Sequence, residues 1–199
     1  MWHILQICAK ETIGRLKFMD WKVLESNYVF KDRWFQARAD KCMMPDGRIM
    51  TPYYVLEMPS WTNMVIITKE EKIVLVRQYR HGKGSTTLEL PGGVLEIGES
   101  PQDSAIREMQ EETGYVSTEI EFLYQVSPNP ALHNNTAYFF LARNAEPLAI
   151  THYDAFEDIV IETYTQVELK QLLMEGKLQH GVQLGAIYQA MIRLNWMSW

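Results

Sequence analysis

Hydrophobic and polar positions change period several times along the chain, and each change predicts an element. Residues 3 to 16 suit a short helix, and Met19 opens a strand-like pattern. From residue 21 to 60, aromatic and β-branched runs break at Pro45-Asp46-Gly47, a turn signature. That predicts two or three antiparallel strands, with Pro59 at their end. Residues 63–68 and 72–79, Asn-Met-Val-Ile-Ile-Thr and Lys-Ile-Val-Leu-Val-Arg-Gln-Tyr, predict two buried strands joined by a Lys69-Glu70-Glu71 turn. A helix follows with clear punctuation. Ser100 is its cap, Pro101 its first residue, Asp103 completes the capping arrangement, and Gly114 ends it in the left-handed conformation. Further strands are expected at 119–126, 136–142 and 158–164. Helical patterns follow at 166–174 and 182–195, with a break marked by Gly176 and Gly181. Strands on both sides of an internal helix, plus terminal helices, predict an α/β class chain: an α/β/α sandwich with a mixed sheet, preceded by a small antiparallel sheet. The corresponding division is an extension over 1–18, the small sheet over 19–60 and the main domain over 61–199.

Composition narrows the partners. Hydrophobic residues make up 47% of the 199 residues and charged ones 22%, enough for a buried core. The net charge of −6 offers no overall basic field for nucleic acid, which argues against a DNA or RNA binder and leaves room for a local basic pocket for phosphate. The two cysteines, Cys8 and Cys42, have no metal or redox spacing and suit a reducing, cytoplasmic setting. The apolar start from Trp2 to Cys8 is too short for an export signal, and no run is long enough for a membrane span.

Candidate chemistry lies between Gly93 and Tyr115, GVLEIGESPQDSAIREMQEETGY. On a helix, Glu108, Glu111 and Glu112 share one arc about 100° wide, while Ala105, Ile106 and Met109 occupy the neighbouring, core-facing arc. Glu112 therefore lies at the edge of the buried face, where its charge needs a cation or an arginine. A solvated acidic face is the ordinary meaning of a bare Glu-x-x-Glu-Glu. Converging hard oxygens, however, are also what Mg²⁺ or Mn²⁺ requires, and Pro91-Gly92-Gly93 would let a backbone carbonyl join them.

The full spacing decides between these readings. Gly93, Glu99, Arg107, Glu108, Met109, Glu111, Glu112, Gly114 and Tyr115 match the Nudix box, so the chain resembles the Nudix hydrolases. The resemblance implies Mg²⁺ (or Mn²⁺) bound by Glu108, Glu111, Glu112 and the Gly92 carbonyl, with Glu112 central. It also implies that Glu99 and Arg107 hold the loop on the helix, with Gly93 and Gly114 as structural glycines.

Over most of residues 19 to 195 the chain is similar to the ADP-ribose pyrophosphatase, or nucleoside diphosphate sugar hydrolase, branch. That likeness implies a phosphate contact from Arg80, which otherwise is an exposed strand-end charge. It implies a substrate-side proline at Pro130, with Ala131 where glycine is usual, and His133 as a loop residue nearby. It implies base stacking by Trp34 and Tyr53, which alternatively pack the small sheet, in a homodimer that shares its sites. A second arginine found in some members has no counterpart, and Met58 stands near its place. The catalytic base is expected in the acidic loop before the last strand. Glu157 matches best there, with Asp154 and Asp158 as rivals.

Overall fold

The computed structural model describes residues 19–148 and 158–197. Contacts divide the described chain into two compact units. One takes the residues up to Met58 together with Asn129–Asn134. The other takes Pro59–Pro128 and the residues from Asn135 onward.

The first unit is a three-stranded antiparallel sheet of β1 (Lys22–Lys31), β2 (Gln36–Met43) and β3 (Ile49–Glu57), in that order. Pro45-Asp46-Gly47 makes the β2–β3 turn, and Gly47 takes a positive φ of 85° there. β1 is exposed along its whole length, while Asp40 and Cys42 of β2 are buried. Asp40 accepts hydrogen bonds from Ser26 (2.5 Å) and Arg38 (3.0 Å), which supply the partners a buried carboxylate needs. The Asn129–Asn134 loop joins this unit through Leu56 N donating to Leu132 O (2.8 Å) and Asn134 N to Leu56 O (3.3 Å).

The second unit holds a seven-stranded mixed sheet. Its spine runs β10 (Ile159–Tyr164), β5 (Ile73–Arg80), β4 (Trp61–Thr68), β9 (Ala137–Pro147) and β7 (Tyr115–Val116). β6 (Ser85–Glu89) pairs with β5 and β8 (Glu119–Val126) with β9. Only β4 and β9 run parallel.

β4 shows why this sheet is covered on both faces. Met64 and Ile66 point into one core with Val74, Ala105 and Met109; Val65 and Ile67 point into another with Leu75, Leu169, Ile187 and Met191. A strand buried on both faces reads as a continuous apolar run because its period-2 sides both face helices. α1 (Pro101–Thr113) supplies the first layer, and α2 (Gln166–Met174) with α3 (Gly181–Arg193) the second. This is the α/β/α sandwich.

Several boundaries differ from the sequence expectation. β6 and β7 were not anticipated, and β9 continues five residues past Ala142. β9 carries one extra residue against β4 between the pairs Ile66–Ala142 and Thr68–Ala145, and Asn144 there takes a φ of 50°, which lets the extension continue alongside Thr68. The expected break between the last two helices is present, with Gly181 as the first residue of α3, and α3 stops at Arg193, short of 195, because Asn195 takes a left-handed φ of 57°. Ser100 accepts from Asp103 N (3.1 Å), but the Asp103 carboxylate bonds the Ser100 hydroxyl (2.7 Å), so the capping is not the reciprocal backbone kind. The expected helix over 3–16 lies outside the described residues. Among the described residues, no helix is long and apolar enough to cross a membrane.

Candidate active site

The site is built where α1 meets the loop after β6. α1 is fixed at its start by Ser100 and at its end by Gly114, at φ 67°, whose N–H donates to Gln110 O. That sets the rotation of the helix, and with it the direction of every glutamate it carries. The loop is sewn to β4: Met64 N donates to Pro91 O (3.0 Å) and Thr62 N to Gly93 O (2.8 Å). Among the described residues, the Gly92 carbonyl between them takes no such backbone donor.

Both loop glycines are approached closely, Gly92 by the backbone of β4 and Gly93 by a helix side chain. A Cβ on Gly92, whose φ is 153°, would lie 2.0 Å from Thr62 O, and one on Gly93 would lie 2.2 Å from Glu108 Oε1. The missing side chains are the space in which helix carboxylates reach the loop.

Glu112 is only 3% exposed, and its Oε2 accepts from Gly92 N at 2.7 Å. The other carboxylates gather on Arg107. Its guanidinium donates to Glu99 (2.9 and 3.1 Å), Glu108 (2.8 Å), Glu111 (2.9 Å) and Val94 O (3.3 Å). The Arg107 hydrogen bonds hold the Glu99 carboxyl down at about 2, against burial, which alone would raise it. The same carboxylates keep Arg107 firmly protonated.

Among the described residues, no three acidic, histidine or cysteine side chains converge in metal-ligand geometry. The physical reason is Arg107, which serves as counter-cation to Glu108 and Glu111 while Glu112 turns to Gly92. The donor set nevertheless fits a hard divalent ion. It offers only oxygens, and its carboxylates outnumber the cations among them. One of these carboxylates is buried, and a backbone carbonyl is adjacent.

Gly92 and Gly93 also line a cavity of about 420 Å³ within the same unit. Its wall includes Trp61 and Asn63 of β4, Arg80, Glu89 and the start of α3. Arg80 grips buried Glu89 through several hydrogen bonds, the shortest 2.8 Å, with Arg80 itself half exposed. Burial pushes the Glu89 carboxyl up, and bonds from Arg80 and Thr87 more than offset it, leaving it below the ordinary carboxylate value. Gln183 on α3 braces the loop entry by accepting from Leu90 N at 2.9 Å.

The remaining expected residues that the structure describes lie each within its own unit. Trp34 is exposed, with the Arg33 guanidinium 4.4 Å over its ring. Tyr53 lies in the same unit, edge-on to Trp21 at 5.8 Å and donating to Ala131 O at 2.8 Å. Pro130 is exposed in the Asn129–Asn134 loop, and His133 bridges to Leu56. Asp158 is exposed immediately before β10. Glu157 and Asp154 lie outside the described residues. Sequence reasoning missed Trp61, Asn63, Gln183 and His180 as cavity residues. Trp61, an aromatic opening a buried strand, carried a weak signal; His180 carried none.

Comparison with known proteins agrees with this architecture. Residues 59–181 match the NUDIX domain model, and residues 21–56 match the nucleoside diphosphate sugar hydrolase N-terminal domain. The chain is 29% identical over 147 residues to the methanol dehydrogenase activator of Bacillus methanolicus, covering 72% of this chain and 79% of that protein. It is 44% identical over 135 residues to the ADP-sugar pyrophosphatase of Mus musculus, covering 58% of each. A solved structure described as an ADP compounds hydrolase superposes with a TM-score of 0.80 at 20% identity, over 89% of this chain and 96% of that one, a likeness of fold. With its box helix, its loop and the domain match over residues 59–181, the chain belongs to the Nudix hydrolase family.

Proposed function

We propose that the protein hydrolyses the diphosphate linkage of ADP-ribose or a related nucleoside diphosphate sugar with Mg²⁺, releasing a nucleoside monophosphate and a sugar phosphate. The observation that carries this reading is the oxygen-rich helix face against Gly92–Gly93, which border a cavity that also contains Arg80. The sugar-hydrolase model over residues 21–56 and the mouse relative, named as an ADP-sugar pyrophosphatase, support the substrate class.

In this reading Glu108, Glu111, Glu112 and the Gly92 carbonyl hold the divalent ions. Bound there, such ions neutralise diphosphate oxygens and lower the pKa of an attacking water. Glu108 and Glu111 must then exchange Arg107 for the metal, while Glu99 keeps Arg107 on the loop. Arg80 offers half-exposed donors to a phosphate oxygen, with Glu89 orienting its guanidinium. Glu157 takes a proton from the water, with Asp154 and Asp158 as the other loop carboxylates able to do so.

Trp34 and Tyr53 stack on the base, with Pro130 nearby, in a two-fold homodimer. The small sheet supports this assembly, since β1 leaves Val23, Tyr28, Val29 and Phe30 exposed, and three strands alone make a poor core. The setting is cytoplasmic. The test is a panel of ADP-ribose, other diphosphate sugars and dinucleotides with Mg²⁺ or Mn²⁺, scored by product. Cleavage of ADP-ribose between its phosphorus atoms is expected, and failure on every diphosphate sugar would sink the reading.

A further inference from the structure

Two buried carboxamides hold the loop that leads into Gly92–Gly93. Asn63 of β4 is 6% exposed and Gln183 of α3 is 4% exposed. Gln183 accepts from Leu90 N at 2.9 Å and donates to Leu90 O at 3.4 Å, so it pairs with both ends of one residue. Asn63 Nδ2 donates to Leu90 O at 3.4 Å and to Pro91 O at 3.3 Å. The same nitrogen would stand 2.5 Å from a Cβ on Gly92, so it packs directly against that glycine.

Both side chains are costly where they stand. Asparagine is a poor strand former, and a buried carboxamide needs partners. A carboxamide has the chemistry of a peptide group, and here the two take the place of a neighbouring strand. β6 ends at Glu89, and Pro91 has no N–H to offer a ladder, so ordinary pairing stops at this point. The carboxamides take up Leu90, while Pro91 O and Gly93 O are tied to β4 and Gly92 N to Glu112. Among the described residues, these ties leave the Gly92 carbonyl without a backbone donor.

Charge explains the choice of group. The loop carbonyls need donors, which a carboxylate cannot be. An ammonium or guanidinium would donate, but would set a further cation near the carboxylates that Arg107 already serves, and would oppose a divalent ion. A carboxamide donates without net charge.

We propose that Asn63 and Gln183 are positioning residues that fix the direction of the Gly92 carbonyl and so set the affinity of the site for a divalent cation. The assignment of that carbonyl as a ligand rests on the hydrolase reading. Both carboxamides act through the loop backbone.

The test is Mn²⁺ binding to the folded protein without substrate, read by electron paramagnetic resonance, beside the Mg²⁺ dependence of ADP-ribose cleavage. Gln183→Met keeps the length of the side chain and loses both bonds. Asn63→Leu keeps the branched shape and loses both of its own, and Asn63→Ala replaces it where leucine prevents folding. In each variant the Mn²⁺ dissociation constant should rise roughly tenfold or more, the usual effect of removing a group that orients a metal ligand. Half-saturating Mg²⁺ should rise by the same factor, with kcat at saturating Mg²⁺ within about twofold of wild type. Leu169→Ala, a core truncation on α2, should lower the urea midpoint and leave Mn²⁺ binding unchanged. An unchanged Mn²⁺ constant in the carboxamide variants, or an equal rise in Leu169→Ala, overturns the proposal, as does wild-type protein that binds no Mn²⁺. If wild-type protein binds Mn²⁺ but cleaves no diphosphate compound, the hydrolase reading fails, and Mn²⁺ binding alone decides the role of the carboxamides.

Discussion

Alanine at Gly92 and alanine at Gly93 should have opposite consequences, although the positions are adjacent. A Cβ at residue 92 would sit 2.0 Å from Thr62 O and 2.7 Å from Asn63 Cα, against roughly 3.5 Å for a relaxed contact. Both obstacles are backbone of β4, the strand covered on both faces, so neither can rotate away. Relief requires the loop to withdraw, which sacrifices the bonds Thr62 N to Gly93 O and Met64 N to Pro91 O. These contribute about 1 kcal/mol each. Holding alanine at a φ of 153° costs about 1–3 kcal/mol more. Gly92→Ala should therefore lose about 3–5 kcal/mol, a large part of the roughly 5–15 kcal/mol of a typical domain. At residue 93 the obstacle is the end of the Glu108 side chain, 2.2 Å away, which can swing aside. Gly93→Ala should cost no more than about 1 kcal/mol in folding, yet displace a proposed metal ligand. Urea unfolding, with the slope checked against wild type, measures the first quantity; Mg²⁺-dependent turnover measures the second. A Gly92→Ala midpoint close to wild type, or a Gly93→Ala protein less stable than Gly92→Ala, would refute the argument.

Glu112→Gln keeps an acceptor for Gly92 N and removes the charge, so turnover should fall by about a hundredfold or more with the fold intact; near-normal turnover at saturating Mg²⁺ would exclude Glu112 as a ligand. Glu157→Gln should depress kcat with little change in Mg²⁺ affinity, whereas unchanged kcat would move the base to Asp154 or Asp158. Trp34→Ala should raise KM for ADP-ribose and spare kcat, and sedimentation should give a dimer at micromolar concentration; a fully active monomer would end the shared-site proposal. Because Glu99 is depressed from 4.5 to about 2, its stabilisation is complete above pH 4.5 and is lost as pH falls toward 2. Urea midpoints over that window should decline less steeply in Glu99→Gln, and identical slopes would show that the Arg107 pairing does not stabilise the fold.

What the sequence made legible was local. Ser100, Pro101 and Gly114 punctuate α1 through bonds that span three or four residues, so the helix and the direction of its glutamates could be read from spacing. The strand β4 was legible because burial on both faces leaves a continuous apolar run. β6 was not, since Ser85 to Glu89 is short and polar at four of its five positions, and its buried Thr87 and Glu89 are tolerated only through pairing with β5 and the Arg80 bonds. The cavity was hidden for the same reason. Trp61 and His180 are 119 positions apart, and nothing near His180 in the chain distinguishes it from a surface histidine. Arg107 shows a third case. Its ties to Glu99 follow the expected role, but its hold on Glu108 and Glu111 depends on side-chain directions that spacing does not specify.

The charge distribution around Gly92–Gly93 explains how one short loop could serve two opposite ligands. On the α1 side, Glu99, Glu108 and Glu111 share the Arg107 guanidinium, so among the described residues carboxylates outnumber cations there. Among the described residues that line the cavity with the same glycines, Arg80 and Lys83 are the cations and Glu89 the carboxylate, and the excess is positive. A diphosphate bound at the loop would meet donors from the cavity and neutralising ions from the helix. Neither half suffices alone, because the cavity's excess is small and the helix face repels an anion. The absence of two side chains is therefore an electrostatic requirement as well as a steric one. Any Cβ on Gly92 or Gly93 would separate the two fields that the diphosphate has to bridge.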